Sequence, residues 1–188
     1  MRIAISGTHG VGKTTLIHDL IKRYPKYQFI KEAYYELLDE ESGAFALAPT
    51  LETMLEQLDR SLEQLDRHAM EDNIIFDRCP VDFIAYAMQA TEQESLDIHH
   101  HEASERFSQV IELLSQLDLI IFLPITNQAS VLYTEENPEY RQAVDNCFKR
   151  LYRDDEFGLF PNYNQPKIIE IWGSEQERVE KISTYLAA

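Results

Sequence analysis

Cysteine is scarce in this 188-residue chain: Cys79 and Cys147 are its two thiols, and they have no metal-ligand spacing. Reduced thiols in a cytoplasmic setting are the expectation. Positive charge is also short, with 17 Lys and Arg against 33 Asp and Glu and a formal charge of −16. A surface this acidic repels nucleic-acid phosphates, which argues against a general nucleic-acid binder. A small anion met by a local cluster of cations stays open. No apolar run approaches a membrane span. Met1 stands immediately before the first strand, leaving no room for a targeting segment, so a cytoplasmic protein without a membrane partner is expected. Internal repeats and long Pro/Gly/Ser linkers are missing too. With 44% hydrophobic residues, residues 1–188 read as one folded domain with a sizeable core.

Against this background one segment stands out. Ile3-Ala4-Ile5-Ser6 runs into Gly7-Thr8-His9-Gly10-Val11-Gly12-Lys13-Thr14, the G-x-x-x-x-G-K-T phosphate-binding loop, followed by Thr15. At average residue frequencies, a chance match in a chain of this length arises on the order of 1% of the time. The context also fits, because an apolar strand precedes the loop and Leu16, Ile17, Leu20 and Ile21 follow at helical spacing. Glycines let successive N–H groups point into one hollow. Lys13 brings a point charge for the outer phosphates, and Thr14 offers a hydroxyl to Mg²⁺. The helix starting near Gly12 aims its positive end at the same anion. His9 occupies a position the motif leaves free and reads as a loop side chain. ATP with Mg²⁺ is the expected ligand.

The rest of the chain alternates strand and helix, which predicts a parallel sheet covered on both faces. Strands are expected at Tyr27–Lys31, Asn73–Asp77, Leu119–Leu123 and Ile168–Trp172. Thr50 can cap a long helix reaching about Asp72, and Pro80 suits a helix start. Val81–Met88 reads as a buried helix and Phe107–Gln116 as another. Glu92–Glu105 reads as an exposed excursion that includes His99, His100 and His101. Three adjacent histidines cannot all face one ion from a regular helix, so they read as a solvated loop. The last helix opens with a capping box from Ser174 to Glu177.

The strand Asn73-Ile74-Ile75-Phe76-Asp77 ends in an acid. Beside a phosphate loop, such an acid holds Mg²⁺, usually through water. Signalling GTPases carry D-x-x-G at this point, whereas here the chain reads Asp77-Arg78-Cys79-Pro80. The guanine-reading N-K-x-D is missing too, since Asn127-Gln128-Ala129-Ser130 lacks its lysine and aspartate. Motor-type ATPases place a water-activating glutamate where this chain has Arg78. An arginine there suits stabilising a transferred phosphoryl group better than activating water. Asp82, near a helix N-terminus, is accounted for by the helix dipole.

Together the loop Gly7–Thr14, Asp77-Arg78 and a basic helix after the fourth strand resemble the small P-loop kinases of nucleosides and nucleotides. The segment Phe76-Asp77-Arg78-Cys79-Pro80-Val81-Asp82-Phe83-Ile84-Ala85-Tyr86 is similar to the bacterial AAA-type ATP-binding family related to nicotinamide riboside kinase domains. The resemblance implies an α/β three-layer P-loop NTPase fold, a five-stranded parallel sheet of order 2-3-1-4-5 with helices on both faces, and a helical lid at about 133–156. It also implies that Glu32, ending the second strand, accepts the proton of an attacking hydroxyl. The other reading of Glu32 is a surface residue opening the next helix. Three residues beyond it the family has an arginine; here that position is Tyr35. Gln57 falls where related kinases can read a base, although a polar helix-surface residue is the preferred reading. Gly173 and Ser174 fall where small kinases pass backbone against adenine.

In the expected lid, Tyr140, Val144, Cys147, Phe148 and Leu151 make an apolar stripe. Arg141, Asp145, Lys149 and Arg153 make a second, and Arg150 adds a further cation. Pairing of Asp145 with Arg141 and Lys149 is one account of that stripe. The other brings Arg141 or Arg153 onto the β- and γ-phosphates when the lid closes, with Arg141 the better candidate. The resulting expectation is an ATP-dependent kinase acting on a small hydroxyl-bearing, nucleoside-like acceptor. Lys13, Glu32, Asp77, Arg78 and Arg141 are its catalytic candidates, Gly7–Thr15 and Gly173 hold the nucleotide, and Thr14 and Asp77 hold Mg²⁺. The alternative is an ATP-binding regulatory NTPase without a small-molecule acceptor.

Overall fold

The computed structural model describes residues 1–32, 50–94, 106–126, 137–161 and 166–186. In chain order the elements are β1 Arg2–Ser6, α1 Lys13–Arg23, β2 Gln28–Ile30, α2 Leu51–Arg67, β3 Ile74–Asp77 and α3 Pro80–Glu94. They continue with α4 Phe107–Leu114, β4 Leu119–Phe122, α5 Pro138–Asp154, β5 Lys167–Glu170 and α6 Glu175–Leu186. The sheet order is β2-β3-β1-β4-β5, and every pairing is parallel. The expected three-layer α/β fold is therefore observed. The phosphate loop leaves the central strand β1.

Alternation along the strands sorts the core into two layers. Ile3, Ile5, Ile75 and Ile121 point to the face covered by Leu16, Ile17 and Leu20 of α1 and by Val179, Ile182 and Leu186 of α6. Ala4, Ile74, Phe76, Ile120 and Phe122 point to the other face, which is covered by α2, α3, α4 and α5. Strands covered on both sides read as unbroken apolar runs, as these do. Each fully buried Ile or Leu contributes about 1.5–3 kcal/mol relative to exposure. No helix among the described residues is long and apolar enough to cross a membrane.

The helix starts follow their capping residues. Thr50 and Thr53 form a reciprocal capping box ahead of α2. Asn137 accepts from the Tyr140 amide at 2.9 Å, with Pro138 as the first residue of α5. Ser174 and Glu177 form the expected box, with the Ser174 amide donating to Glu177 at 2.8 Å.

The helix ends differ from expectation. α2 stops at Arg67 instead of about Asp72, because the Arg2 guanidinium takes the Ala69 carbonyl at 2.6 Å and Asn73 turns the chain at φ 59°. α4 ends at Leu114, two residues before the expected Gln116. β5 closes at Glu170; Trp172, read as its last residue, is 44% exposed. His99, His100 and His101, Tyr35 and Asn127–Ser130 lie outside the described residues.

Helix α5 is a core element over most of its length. Val144, Cys147, Phe148 and Leu151 are buried in the layer that also holds Phe122 and Tyr86. Asp145, fully buried, accepts from the Ile125 amide at 2.9 Å and lies 2.5 Å from Lys149. This anchors the helix to the chain leaving β4. Residues 133–136 of the expected lid lie outside the described residues.

Candidate active site

The chain rises from β1 into a loop whose glycines have backbone angles that side chains tolerate poorly. Gly7 has φ +139°, and a Cβ there would stand 2.6 Å from the Leu123 carbonyl oxygen. Gly12, at φ +91°, precedes the first residue of α1. Lys13 folds back so that Nζ donates to the carbonyls of Gly7 and Thr8, both at 2.9 Å. Burial first, and the neighbouring Arg78 second, lower its pKa to about 7. Thr14 and Thr15 follow, exposed, on the first turn of α1.

Asp77 ends β3 beside the loop, register-paired with Ile5. Burial pushes its carboxyl pKa up, and Lys13 and Arg78 oppose that shift. Its Oδ1 is buried and has no hydrogen-bond partner among the described residues. A buried carboxylate oxygen left without a partner beside a threonine-bearing loop suits a hard cation, so the residues present fit Mg²⁺.

Arg78 follows with φ 74°, a left-handed conformation that costs a non-glycine residue about 1–3 kcal/mol. Four contacts hold it there. Nε lies 2.6 Å from Glu32 Oε1. Nη1 donates to Asp82 Oδ1 and to the Gly7 carbonyl, each at 3.1 Å. The guanidinium stands 5.3 Å from the centre of the Tyr86 ring. Burial works against its charge, but Glu32, Tyr86 and Asp82 outweigh it and hold the guanidinium protonated. Glu32 thus stands beside Arg78 and is 17% exposed, while the segment that follows it, where a next helix is expected, lies outside the described residues.

Arg141, in the first turn of α5, reaches the loop: Nε donates to the His9 carbonyl at 3.0 Å. The other cations of that helix go elsewhere. Arg153 pairs with Glu170 at 2.8 Å, Arg150 with Glu92 and Glu156, and Lys149 with Asp145. Arg153 thus faces β5 in this structure, whereas Arg141 is the one of the two lid candidates that reaches the loop. Lys13, Glu32, Asp77, Arg78 and Arg141 converge on the carboxyl ends of the strands, where open α/β sheets hold ligands. Gly173 lies just beyond β5 and accepts from Arg178 at 2.9 Å.

Several residues of this site have no motif of their own. Asp82, assigned above to the helix dipole alone, is fully buried. Its Oδ1 accepts from the Gly7 amide at 3.2 Å and its Oδ2 from the Cys79 amide at 3.1 Å. It therefore ties the loop to the start of α3. Tyr86 accepts from the His9 amide at 3.1 Å. Tyr152 donates to Ser6 Oγ at 2.7 Å beneath the loop, and Arg178 donates to the Val11 carbonyl at 2.7 Å. Spacing on α3 is the one available signal, since Asp82 and Tyr86 are four residues apart and share a face. Gln57, read as a surface residue, is 5% exposed on the buried side of α2, in one row with buried Ser61 and Gln64.

A phosphate loop on the central strand, an acid at the end of the adjacent strand and an arginine beside both define the class: a P-loop nucleotide-binding protein. The particular family follows from comparison. A family model described as AAA domain matches residues 2–178, and the chain belongs to that family. No curated protein sequence matches it. Among solved structures, deoxyadenosine kinase from M. mycoides with bound dATP is similar at 20% identity and a TM-score of 0.69, each chain covered in full. The NadR protein in complex with NAD and AMP-PNP has 17% identity and a TM-score of 0.65; the match covers 100% of this chain and 49% of that one. Thymidylate kinase from Candida albicans has 16% identity and a TM-score of 0.64, covering 99% of this chain and 90% of that one. The fold is that of the P-loop nucleoside and nucleotide kinases.

Proposed function

We propose that this chain is an ATP-dependent kinase that transfers the γ-phosphoryl group to a hydroxyl of a small, nucleoside-like acceptor. One observation carries this reading: Arg78, held between Glu32 and Asp82, occupies the place where a hydrolase needs a water-activating carboxylate. The loop amides and Lys13 bind the β- and γ-phosphates, Lys13 exchanging two neutral carbonyls for the anion. Thr14 and Asp77 would hold Mg²⁺, which would supply positive charge to offset that of the phosphates. Arg78, and Arg141 from the first turn of α5, oppose the charge that builds on the moving group. Glu32 takes the proton of the acceptor hydroxyl as its oxygen attacks. The bond from the γ-phosphorus to the bridging oxygen then breaks and ADP leaves.

The neighbouring kinases support this assignment through the fold they share with the chain, and the acceptor class is extrapolated from what their names say they bind. The lid role is part of the proposal and is assigned to Arg141 in the first turn of α5, since Val144, Cys147, Phe148 and Leu151 are buried in the core. The test is ATP turnover against a panel of nucleosides, nucleotides and ribosylated pyridines, with Lys13→Ala as control. Transfer to one acceptor class, abolished in a folded Lys13→Ala variant, is expected. Strong ATP turnover with no acceptor added would overturn the kinase reading in favour of a regulatory NTPase.

A further inference from the structure

Arg178 is the one buried cation near the loop, among those described above, that the phosphoryl-transfer scheme does not use. It sits in the first turn of α6 and is 9% exposed. Its two hydrogen bonds run to different stretches of backbone: Nη1 to the Val11 carbonyl at 2.7 Å and Nε to the Gly173 carbonyl at 2.9 Å. Val11 belongs to the phosphate loop, and Gly173 is the turn after β5, far away in sequence. Gly12 makes room for the guanidinium, since a Cβ there would lie 3.1 Å from Nη1.

Burying a guanidinium against carbonyl dipoles is a costly way to fill space. Burial works against its charge, and Glu175 offers the one opposing attraction. An apolar side chain would pack there without that cost. A planar fork with donors at fixed angles does something that packing cannot, because it sets the distance between two backbone segments. A nucleoside triphosphate has its base and its phosphates at opposite ends: the proposed function puts the phosphates on the loop, and the resemblance to small P-loop kinases implies that backbone at Gly173 passes against the base.

We propose that Arg178 is a positioning residue that locks the base-side turn at Gly173 to the phosphate loop at Val11, so that the two ends of ATP are bound as a single unit. This rests on the nucleotide reading of the loop. With the strap in place the spacing is prepared before binding, and ATP does not have to order it. Without it each half-site persists, but their separation must be fixed at the expense of affinity.

The test compares ATP·Mg²⁺ with tripolyphosphate·Mg²⁺, which engages the loop and has no base. Both are titrated calorimetrically into the full chain, into Arg178→Met and into Arg178→Lys. Emission of Trp172, the single tryptophan and the neighbour of Gly173, is recorded alongside. If the unaltered chain binds neither ligand, the nucleotide reading itself fails. If it binds both, Arg178→Met is expected to weaken ATP at least tenfold and tripolyphosphate less than threefold. Arg178→Lys should recover part of the loss, since an ammonium can reach a carbonyl without spanning both. Equal weakening of the two ligands would make Arg178 a prop for the loop alone and overturn the coupling, as would unchanged ATP affinity. Should Arg178→Met not fold, the ratio of the two affinities in Arg178→Lys decides the matter by the same criterion.

Discussion

Arg78 Nε and Glu32 Oε1 stand 2.6 Å apart, joining the residue that follows β3 to the end of the segment leaving β2. Neither strand determines the pair alone. β2 and β3 run parallel in register, Ile30 beside Phe76, so their carboxyl ends emerge side by side and deliver an acid and a base to the same crevice. The pair also explains how Arg78 tolerates a left-handed backbone: the attraction to Glu32 and Asp82 offsets the cost of the φ angle.

Glu32→Gln separates the acid's two tasks. The amide keeps the shape and can still accept from Arg78, so the loop stays ordered. It cannot take up a proton. ATP affinity should stay within about threefold of the original value, while the rate of transfer falls by roughly 10²–10⁴. Calorimetric titration with ATP and a steady-state assay on the acceptor identified by the panel provide the two readings. Undiminished transfer would remove Glu32 from the base role.

Asp82→Asn strikes the tie between loop and helix. The carboxylate accepts from Gly7, Arg78 and Cys79, and an amide can accept through its oxygen only. One buried amide donor then lacks a partner, and Arg78 loses a compensating charge. Stability should fall by about 2–4 kcal/mol, read from urea unfolding. ATP at saturating concentration should recover part of it, because ligand binding stabilises the folded loop. A loss under 1 kcal/mol would mean that the geometry around Gly7 is held by other contacts.

The strands and the phosphate loop were legible because each is local, whereas the strand order, observed as β2-β3-β1-β4-β5, was implied by the resemblance to P-loop kinases. Ile3–Ile5, Ile74–Phe76 and Leu119–Phe122 are continuous apolar runs, and the loop motif is contiguous. Asp77 and Arg78 were legible from their place at a strand end. Helix ends were less so: α2 stops where Arg2, a residue of β1, takes a carbonyl. Tyr152 to Ser6, Tyr86 to His9 and Arg178 to Val11 join residues 146, 77 and 167 positions apart. No local pattern marks such contacts; packing of α3, α5 and α6 creates them. Gln57 departs from its expected exposure for a related reason. Its helix buries a polar row beside an apolar one, and polarity alone marks such a row as solvent-facing.

Two glycines with left-handed backbones should respond differently to alanine. Gly158 has φ +63° and open space where a Cβ would stand, with nothing within 4 Å. Gly158→Ala therefore meets only the torsional cost, about 1–2 kcal/mol. A domain of this size should lose roughly 2–8 °C in Tm. At Gly7 a Cβ would lie 2.6 Å from the Leu123 oxygen, and the Leu123 amide is itself fixed to Ser6 at 2.9 Å. Neither backbone can yield without breaking the β1–β4 ladder. Gly7→Ala should cost more than about 4 kcal/mol and abolish ATP binding. Thermal unfolding followed by circular dichroism, with and without ATP, distinguishes the two; similar Tm losses would contradict the close approach at Gly7.

Cys147 supplies a pH-dependent prediction away from the nucleotide. Burial, with Glu92 adding to it, pushes its thiol up to about 12 from an ordinary 9.0. Between those values the unfolded chain releases the proton and the folded chain keeps it. Stability from this group is therefore fully present below about pH 9 and falls as pH rises, by up to about 1.4 kcal/mol per pH unit. Other groups titrate in the same range, so the comparison is with Cys147→Ala, which lacks the thiol. Urea unfolding at pH 8 and pH 10 should give the original chain the steeper loss of the two. Alkylation by iodoacetamide at pH 8.5 should likewise remain slow until denaturant opens the core. Equal pH slopes in chain and variant, with rapid alkylation of the folded protein, would place the Cys147 thiol in contact with water.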